Sequence, residues 1–136
     1  MPDLAGHLRL TILRTARRLR QEAGGELSPS LVAALSTVEQ HGPLTPSGVA
    51  AREGIQRPTV TRVLARLEEQ GLIERMADPR DGRSTFVSAT KAGRELLAEL
   101  RTRKTAFLAR RIERLDSDER AALGRAADIL ERMLAE

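Results

Sequence analysis

The sequence predicts a mainly α-helical fold of six helices interrupted by one small β-hairpin, and three observations carry that expectation. First, between Arg57 and Gln70 the apolar residues Val60, Val63, Leu64 and Leu67 recur at offsets of three, four and seven, the spacing that lines one face of a 3.6-residue period. Second, the period changes after Gly71. Leu72, Ile73 and Met76 form a short strand-like run, and Thr85-Phe86-Val87-Ser88, β-branched and aromatic, reads as its returning partner. The six residues between, Asp78-Pro79-Arg80-Asp81-Gly82-Arg83, are a polar turn dense in breakers. Third, Thr45-Pro46 starts a short helix just upstream, so two helices joined by a tight turn lead straight into the hairpin. That order is a winged helix-turn-helix.

The elements follow in sequence. Residues 3–22 form a first helix whose Leu4, Leu8, Ile12, Leu13, Ala16 and Leu19 recur at helical offsets, with Arg9, Arg14, Arg17, Arg18 and Arg20 on its other face. Gly24-Gly25 breaks it. Ser28-Pro29 opens a second helix, with serine as N-cap and proline at the first helical position, where its missing N–H costs nothing. Leu31, Val32, Leu35 and Val38 are its core stripe, and His41-Gly42-Pro43 stops it. A third helix, Ser47 to Glu53, is closed by Gly54, and Gly54-Ile55-Gln56-Arg57 joins it to the fourth. The fourth helix lacks a small capping hydroxyl, since Arg57 precedes Pro58. Either Gln56 or Thr59 compensates elsewhere, or Arg57 stands there to reach a ligand. Lys91 to Leu115 reads as a long fifth helix. Asp116 or Ser117 caps a sixth, with Asp118 and Glu119 suited to the positive end of its dipole.

Composition bounds the function. The chain has 136 residues, 40% hydrophobic and 31% charged, and no linker splits it, so one soluble folded domain is expected over residues 1–136. No apolar run approaches the ~20 residues of a membrane span and no basic-then-apolar leader is visible, so a cytoplasmic location without membrane attachment is expected. The absence of cysteine excludes disulfides, thiol catalysis and thiol redox sensing by this chain. His7 and His41 have no neighbours at metal-ligand spacing, and no phosphate loop, nucleophile elbow or paired-carboxylate pattern occurs, so neither a metal, a cofactor nor an enzyme activity is expected. With two Phe and no Trp or Tyr, base stacking is an unsuitable mode, which argues against a single-strand or RNA binder. The formal net charge is only +4. Position says more: Arg57, Thr59, Thr61, Arg62 and Arg66 lie largely off the apolar stripe of the fourth helix, a donor-bearing face of the kind that fits a DNA major groove.

Thr61-Arg62, Leu67-Glu68, Gly71-Leu72-Ile73-Glu74-Arg75, Asp78-Pro79-Arg80-Asp81-Gly82-Arg83 and Thr90-Lys91-Ala92-Gly93 stand in the order and spacing of a known family. The sequence resembles the MarR family of bacterial transcriptional regulators, and the helix pattern matches over nearly the whole chain. The resemblance implies a DNA-binding lobe at residues 28–90 and dimerisation helices at 3–22 and 91–136. It implies a homodimer that binds a pseudo-palindromic operator in double-stranded DNA and represses transcription. A small anionic or aromatic effector between the dimer helices and the lobe belongs to the same expectation. The missing cysteine removes the peroxide-sensing mechanism of some relatives.

On this reading Arg57, Thr59, Thr61 and Arg62 are candidate base readers, with Pro58 offering apolar contact. An arginine bidentate on guanine discriminates by ~1–3 kcal/mol. Arg62 has a structural alternative, pairing with Glu68 or Glu69. Arg66 suits phosphate or the wing. Arg80, at the wing tip, would enter the minor groove, while Arg83 and Asp78 match a family salt bridge that braces the hairpin. Arg83 is also a candidate DNA contact. Thr45, Ser47 and Ser84 could meet phosphate, although each hydroxyl could simply cap. For dimerisation the candidates are Leu4, Leu8, Ile12, Leu108, Ile112, Leu123, Ile129, Leu130, Met133 and Leu134, surplus apolar residues that a small winged-helix core does not need. Packing of these helices within one chain is the alternative. A winged-helix protein-interaction module that no longer reads DNA is the competing function; it would have lost the cations of the helix face and wing tip, which this chain keeps.

Overall fold

A computed structural model describes residues 3–136. Its elements are α1 (Leu4–Ala23), α2 (Pro29–His41), α3 (Pro46–Glu53), α4 (Arg57–Glu69), β1 (Ile73–Ala77), β2 (Thr85–Ala89), α5 (Lys91–Ile112) and α6 (Ser117–Leu134). The chain divides into two compact units. One is the lobe Ala23–Arg101; the other, a helical unit, joins the residues up to Glu22 with Thr102–Glu136. The boundary falls inside α5, later than position 91. Its first turns belong to the lobe because Gly93, Leu97 and Leu100 are buried there.

In the lobe, Leu31, Ala34, Leu35 and Val38 of α2, Val49 of α3, and Val60, Leu64 and Leu67 of α4 close on Leu72, Ile73, Val87 and Leu97. Proline follows each of the first two N-caps as the spacing predicts: Ser28 Oγ accepts a long 3.4 Å bond from Leu31 N–H, and Thr45 Oγ1 accepts from Gly48 N–H at 3.0 Å. Gly54 ends α3 in the left-handed region at φ 65°, a conformation that costs glycine little.

The hairpin is antiparallel, with Ile73 opposite Ala89 and Ala77 opposite Thr85. Leu44, just before α3, adds a one-residue third strand: its N–H donates to Val87 O at 3.0 Å and its carbonyl accepts from Val87 N–H at 2.8 Å. The wing exit is locked by Thr90, whose hydroxyl donates to Gly71 O at 2.6 Å while accepting from Gly93 N–H at 3.1 Å. Gly93 is required for space, since a Cβ there would lie 2.3 Å from Leu72 O.

Among its described residues the helical unit encloses no core. α6 has no buried residue, and the only one in α1 is Ala23, which belongs to the lobe. α6 is nonetheless well started: Asp116 accepts from Glu119 N–H at 2.8 Å and Glu119 accepts from Asp116 N–H at 3.2 Å, a reciprocal capping box. Phe107 of α5 meets two cations, Arg111 at 4.9 Å and Arg18 of α1 at 5.4 Å from the ring centroid. α5 stops at Ile112, three residues short of the predicted Leu115, because Glu113–Leu115 turn towards the Asp116 cap.

Candidate nucleic-acid interface

The lobe's outward face is built on α4. Burying Val60, Leu64 and Leu67 to 1% exposure or less turns the opposite face outward, and Arg57, Pro58, Thr61, Arg62 and Arg66 are all exposed there, with Thr59 half-buried. Each fully buried Leu stabilises the fold by ~1.5–3 kcal/mol over an exposed one, so the orientation of the arginine face is strongly set by the stripe behind it.

The ion pair that competed for Arg62 does not form among the described residues. Glu68 is engaged instead by Arg75 of β1, Nε to Oε2 at 3.2 Å, a bridge that ties the end of α4 to the hairpin. Arg62 and Arg66 line one side of an open cavity of about 360 Å³ with Thr59 and Val63. Glu26, Ser28, Ser30 and Leu31, at the start of α2, line the other side. Two guanidiniums therefore face the start of α2, whose dipole also favours an anion, although Pro29 has no N–H, Leu31 N–H is taken by Ser28 Oγ, and Glu26 brings a carboxylate to the same cavity.

The start of α4 is unusual. Gln56 occupies the N-cap position with extended backbone, φ −75° and ψ 151°, but its side chain makes no capping bond. Arg57 is the first helical residue, and its Nη1 donates to Ser47 Oγ on α3. Of the alternatives open for this helix start, neither Gln56 nor Thr59 caps it among the described residues. Thr61 donates its hydroxyl to Arg57 O at 3.0 Å, bonding back along its own helix and keeping only acceptor capacity for a ligand.

At the wing, Arg80 and Arg83 are both exposed in the connection between β1 and β2. The Asp78–Arg83 salt bridge that the resemblance implied is absent among the described residues. The turn is braced through backbone instead: Asp78 Oδ1 accepts from Arg80 N–H at 2.8 Å, Asp81 Oδ1 accepts from Arg83 N–H at 3.0 Å, and Asp78 N–H donates to Ser84 O at 3.0 Å. An aspartate two residues before an N–H closes an Asx turn, a shorter and more local connection than reaching a guanidinium across the hairpin. Both carboxylates are thus spent on turn geometry, leaving the two guanidiniums outward. Ser84 is half-buried, with its hydroxyl 3.4 Å from Asp81 Oδ2.

In the helical unit Leu4, Ile12, Leu108, Ile112, Leu123, Ile129, Met133 and Leu134 are exposed, and Leu8 and Leu130 are half-buried. Leu10 and Leu13 are exposed as well. The sequence reading has Leu13 on the apolar stripe of the first helix and does not name Leu10. The Ser47–Arg57 and Glu68–Arg75 links were also missed, because pairs of this kind depend on how separate elements pack and leave no periodic trace. No helix among the described residues is long and apolar enough to cross a membrane.

Residues 27–85, which hold α2, α3, α4, β1 and the wing turn, match the model of the MarR family. An uncharacterised HTH-type transcriptional regulator of Mycobacterium leprae is 37% identical over 134 residues, covering 98% of this chain and 94% of the relative. The chain belongs to the MarR family. Among solved structures, a transcriptional regulator protein from Pseudomonas aeruginosa is similar at TM-score 0.86 and 37% identity, covering 96% of this chain and 93% of that one. The fold of this MarR-family chain is shared by Streptococcus pneumoniae FabT, crystallised in complex with DNA, at TM-score 0.70 and 22% identity over 96% of this chain and 95% of that one.

Proposed function

We propose that this chain is a sequence-specific double-stranded DNA-binding transcriptional repressor that acts as a homodimer in the cytoplasm. The observation that carries the reading is the pairing of two cationic features in one lobe. The exposed arginines of α4 have their acidic competitor Glu68 drawn off by Arg75, and the wing's aspartates are turned to its own backbone. On this reading Arg57 and Arg62 contact bases, and Pro58, Thr59 and Thr61 line the groove contact. Arg66, Thr45, Ser47 and Ser84 meet phosphate, Arg80 enters the minor groove, and Arg83 stands beside it. The cavity edge formed by Arg62, Arg66 and the start of α2 suits a backbone phosphate.

Homodimerisation is supported by the coreless helical unit, whose exposed Ile129, Met133, Leu123 and Ile12 need a cover. Two-fold pairing would set recognition helices about 34–36 Å apart and so require a pseudo-palindromic site. Release by a small anionic aromatic effector fits the same scheme. Arg111 offers positive charge beside the Phe107 ring, while Arg18 on the same ring is paired with Glu22, and such a ligand acts by binding one of two states better.

Selection of binding sites from random duplex DNA tests the reading. The expected result is an inverted repeat bound by two chains, with benzoate or a phenolic acid then lowering affinity for the winner. Indifference to every duplex at low salt would overturn it. Protein capture without duplex binding would favour the interaction-module alternative.

A further inference from the structure

We propose that Ser47 is a positioning residue for base reading: from the support helix α3 it holds the Arg57 guanidinium in place for one base pair of each half-site. The inference rests on the DNA-binding reading of the lobe and assigns a role within it.

Three features of the helix start point this way. The recognition helix dispenses with a side-chain cap, because Gln56 does not bond back and Pro58 has already removed one of the orphan N–H groups. Arg57 is therefore not needed to finish the helix end, and what its side chain does is reach ten residues back to another helix, where Nη1 donates to Ser47 Oγ. The two helices that carry the pair are fixed against each other by Val49 and Val60, each 1% exposed, so the link joins two rigid bodies rather than two loops.

The geometry of a guanidinium gives the link its meaning. Arginine presents five donors in a planar fork, and guanine O6 and N7 need two parallel ones. Ser47 uses Nη1, and the edge made by Nε and Nη2 has no partner among the described residues. A long side chain otherwise samples many rotamers and loses that freedom on binding, whereas one already tethered loses less. Ser47 also keeps its own proton. As an acceptor from Arg57, the hydroxyl can still donate to a phosphate, so one side chain would couple backbone register to base reading through a chain of hydrogen bonds that strengthen one another. Thr45 does not take this place; its hydroxyl accepts from Gly48 N–H to cap α3.

The test compares full-length wild type, Ser47→Ala, Ser47→Thr, Arg57→Ala and the Ser47→Ala/Arg57→Ala pair. Each is competed on the selected operator with every base substituted in turn, and on random duplex. Both positions are exposed, and thermal melting checks that each variant is folded. Arg57→Ala should abolish preference for guanine at one position per half-site, a preference of about 5- to 150-fold for a bidentate arginine. Ser47→Ala should cut that preference at the same position by about 3- to 10-fold, Ser47→Thr should restore it, and the double variant should match Arg57→Ala. The proposal is overturned if Ser47→Ala weakens all sequences equally, if it alters preference at other positions, or if threonine behaves like alanine. Should wild type select an operator while Arg57→Ala keeps every base preference, the positioning role fails and the DNA reading stands. Wild type that selects no sequence at all removes both.

Discussion

The two units of this chain bury apolar surface in opposite ways. The lobe, Ala23–Arg101, closes twelve buried residues around α2, α4 and the hairpin. The helical unit carries long amphipathic helices and leaves Leu134 at 86% exposure, Leu4 at 69% and Met133 at 56%. Charge is divided just as unevenly. The lobe holds ten arginine and lysine residues against ten acids, while the helical unit holds thirteen against nine and so carries the whole formal charge of +4. The unit proposed to read DNA is thus neutral as a body. Its attraction for a polyanion must come from where its cations stand, at Arg57, Arg62, Arg66, Arg80 and Arg83, and net charge is a poor guide to which surface binds.

The sharpest way to break the comparison is to attack burial in each unit. Leu64→Ala removes a side chain with no exposure from the lobe core. A loss of about 2–5 kcal/mol is expected in urea unfolding, with the lobe's own contribution independent of protein concentration. Ile129→Asp with Met133→Asp alters side chains that are 46% and 56% exposed. These should leave the lobe's fold intact yet shift sedimentation from dimer towards monomer at micromolar concentration. If instead the double variant unfolds the lobe and remains paired, the division of labour between the units is wrong.

Charge placement gives the next largest effect. Arg80→Ala should flatten the log–log dependence of operator affinity on salt by up to ~1. Arg132→Ala, which removes the same formal charge from α6, should leave that slope unchanged. Equal changes from both would mean that bulk charge governs binding after all.

The parts of this fold legible in the sequence are those that depend on near neighbours. The α4 stripe, the Ser28-Pro29 and Thr45-Pro46 starts, the hairpin strands and the Asp116 cap are each set by residues within about one turn of each other, and the structure has them where the pattern puts them. The unit boundary inside α5 was not legible, because α5 is apolar on both sides of Leu100 and only packing shows which part the lobe covers. The wing brace was misassigned between side chain and backbone, since Asp78 can serve either Arg83 or the Arg80 N–H and a motif cannot distinguish them. The exposure of the α4 and wing arginines was legible, and the links between elements were not. Arg57 on Ser47 and Arg75 on Glu68 join different elements through flexible side chains.

The smallest effects come from glycine, and they sharpen the contrast most cleanly because one substitution has opposite signs in the two units. Gly93→Ala puts a methyl 2.3 Å from Leu72 O and 3.2 Å from a Leu35 methyl, against backbone that cannot retreat without moving the wing exit. A loss of about 1–3 kcal/mol is expected. Gly124, inside α6, has no heavy atom within 4 Å of the same added methyl. Within one protomer, alanine there should stabilise by ~0.5–1 kcal/mol, because glycine is the poorer helix former. Thermal melting across a hundredfold range of protein concentration reads both variants. If Gly124→Ala destabilises at high protein concentration and the effect fades on dilution, the methyl has met the second chain. The α6 face at Gly124 would then lie in the dimer contact itself.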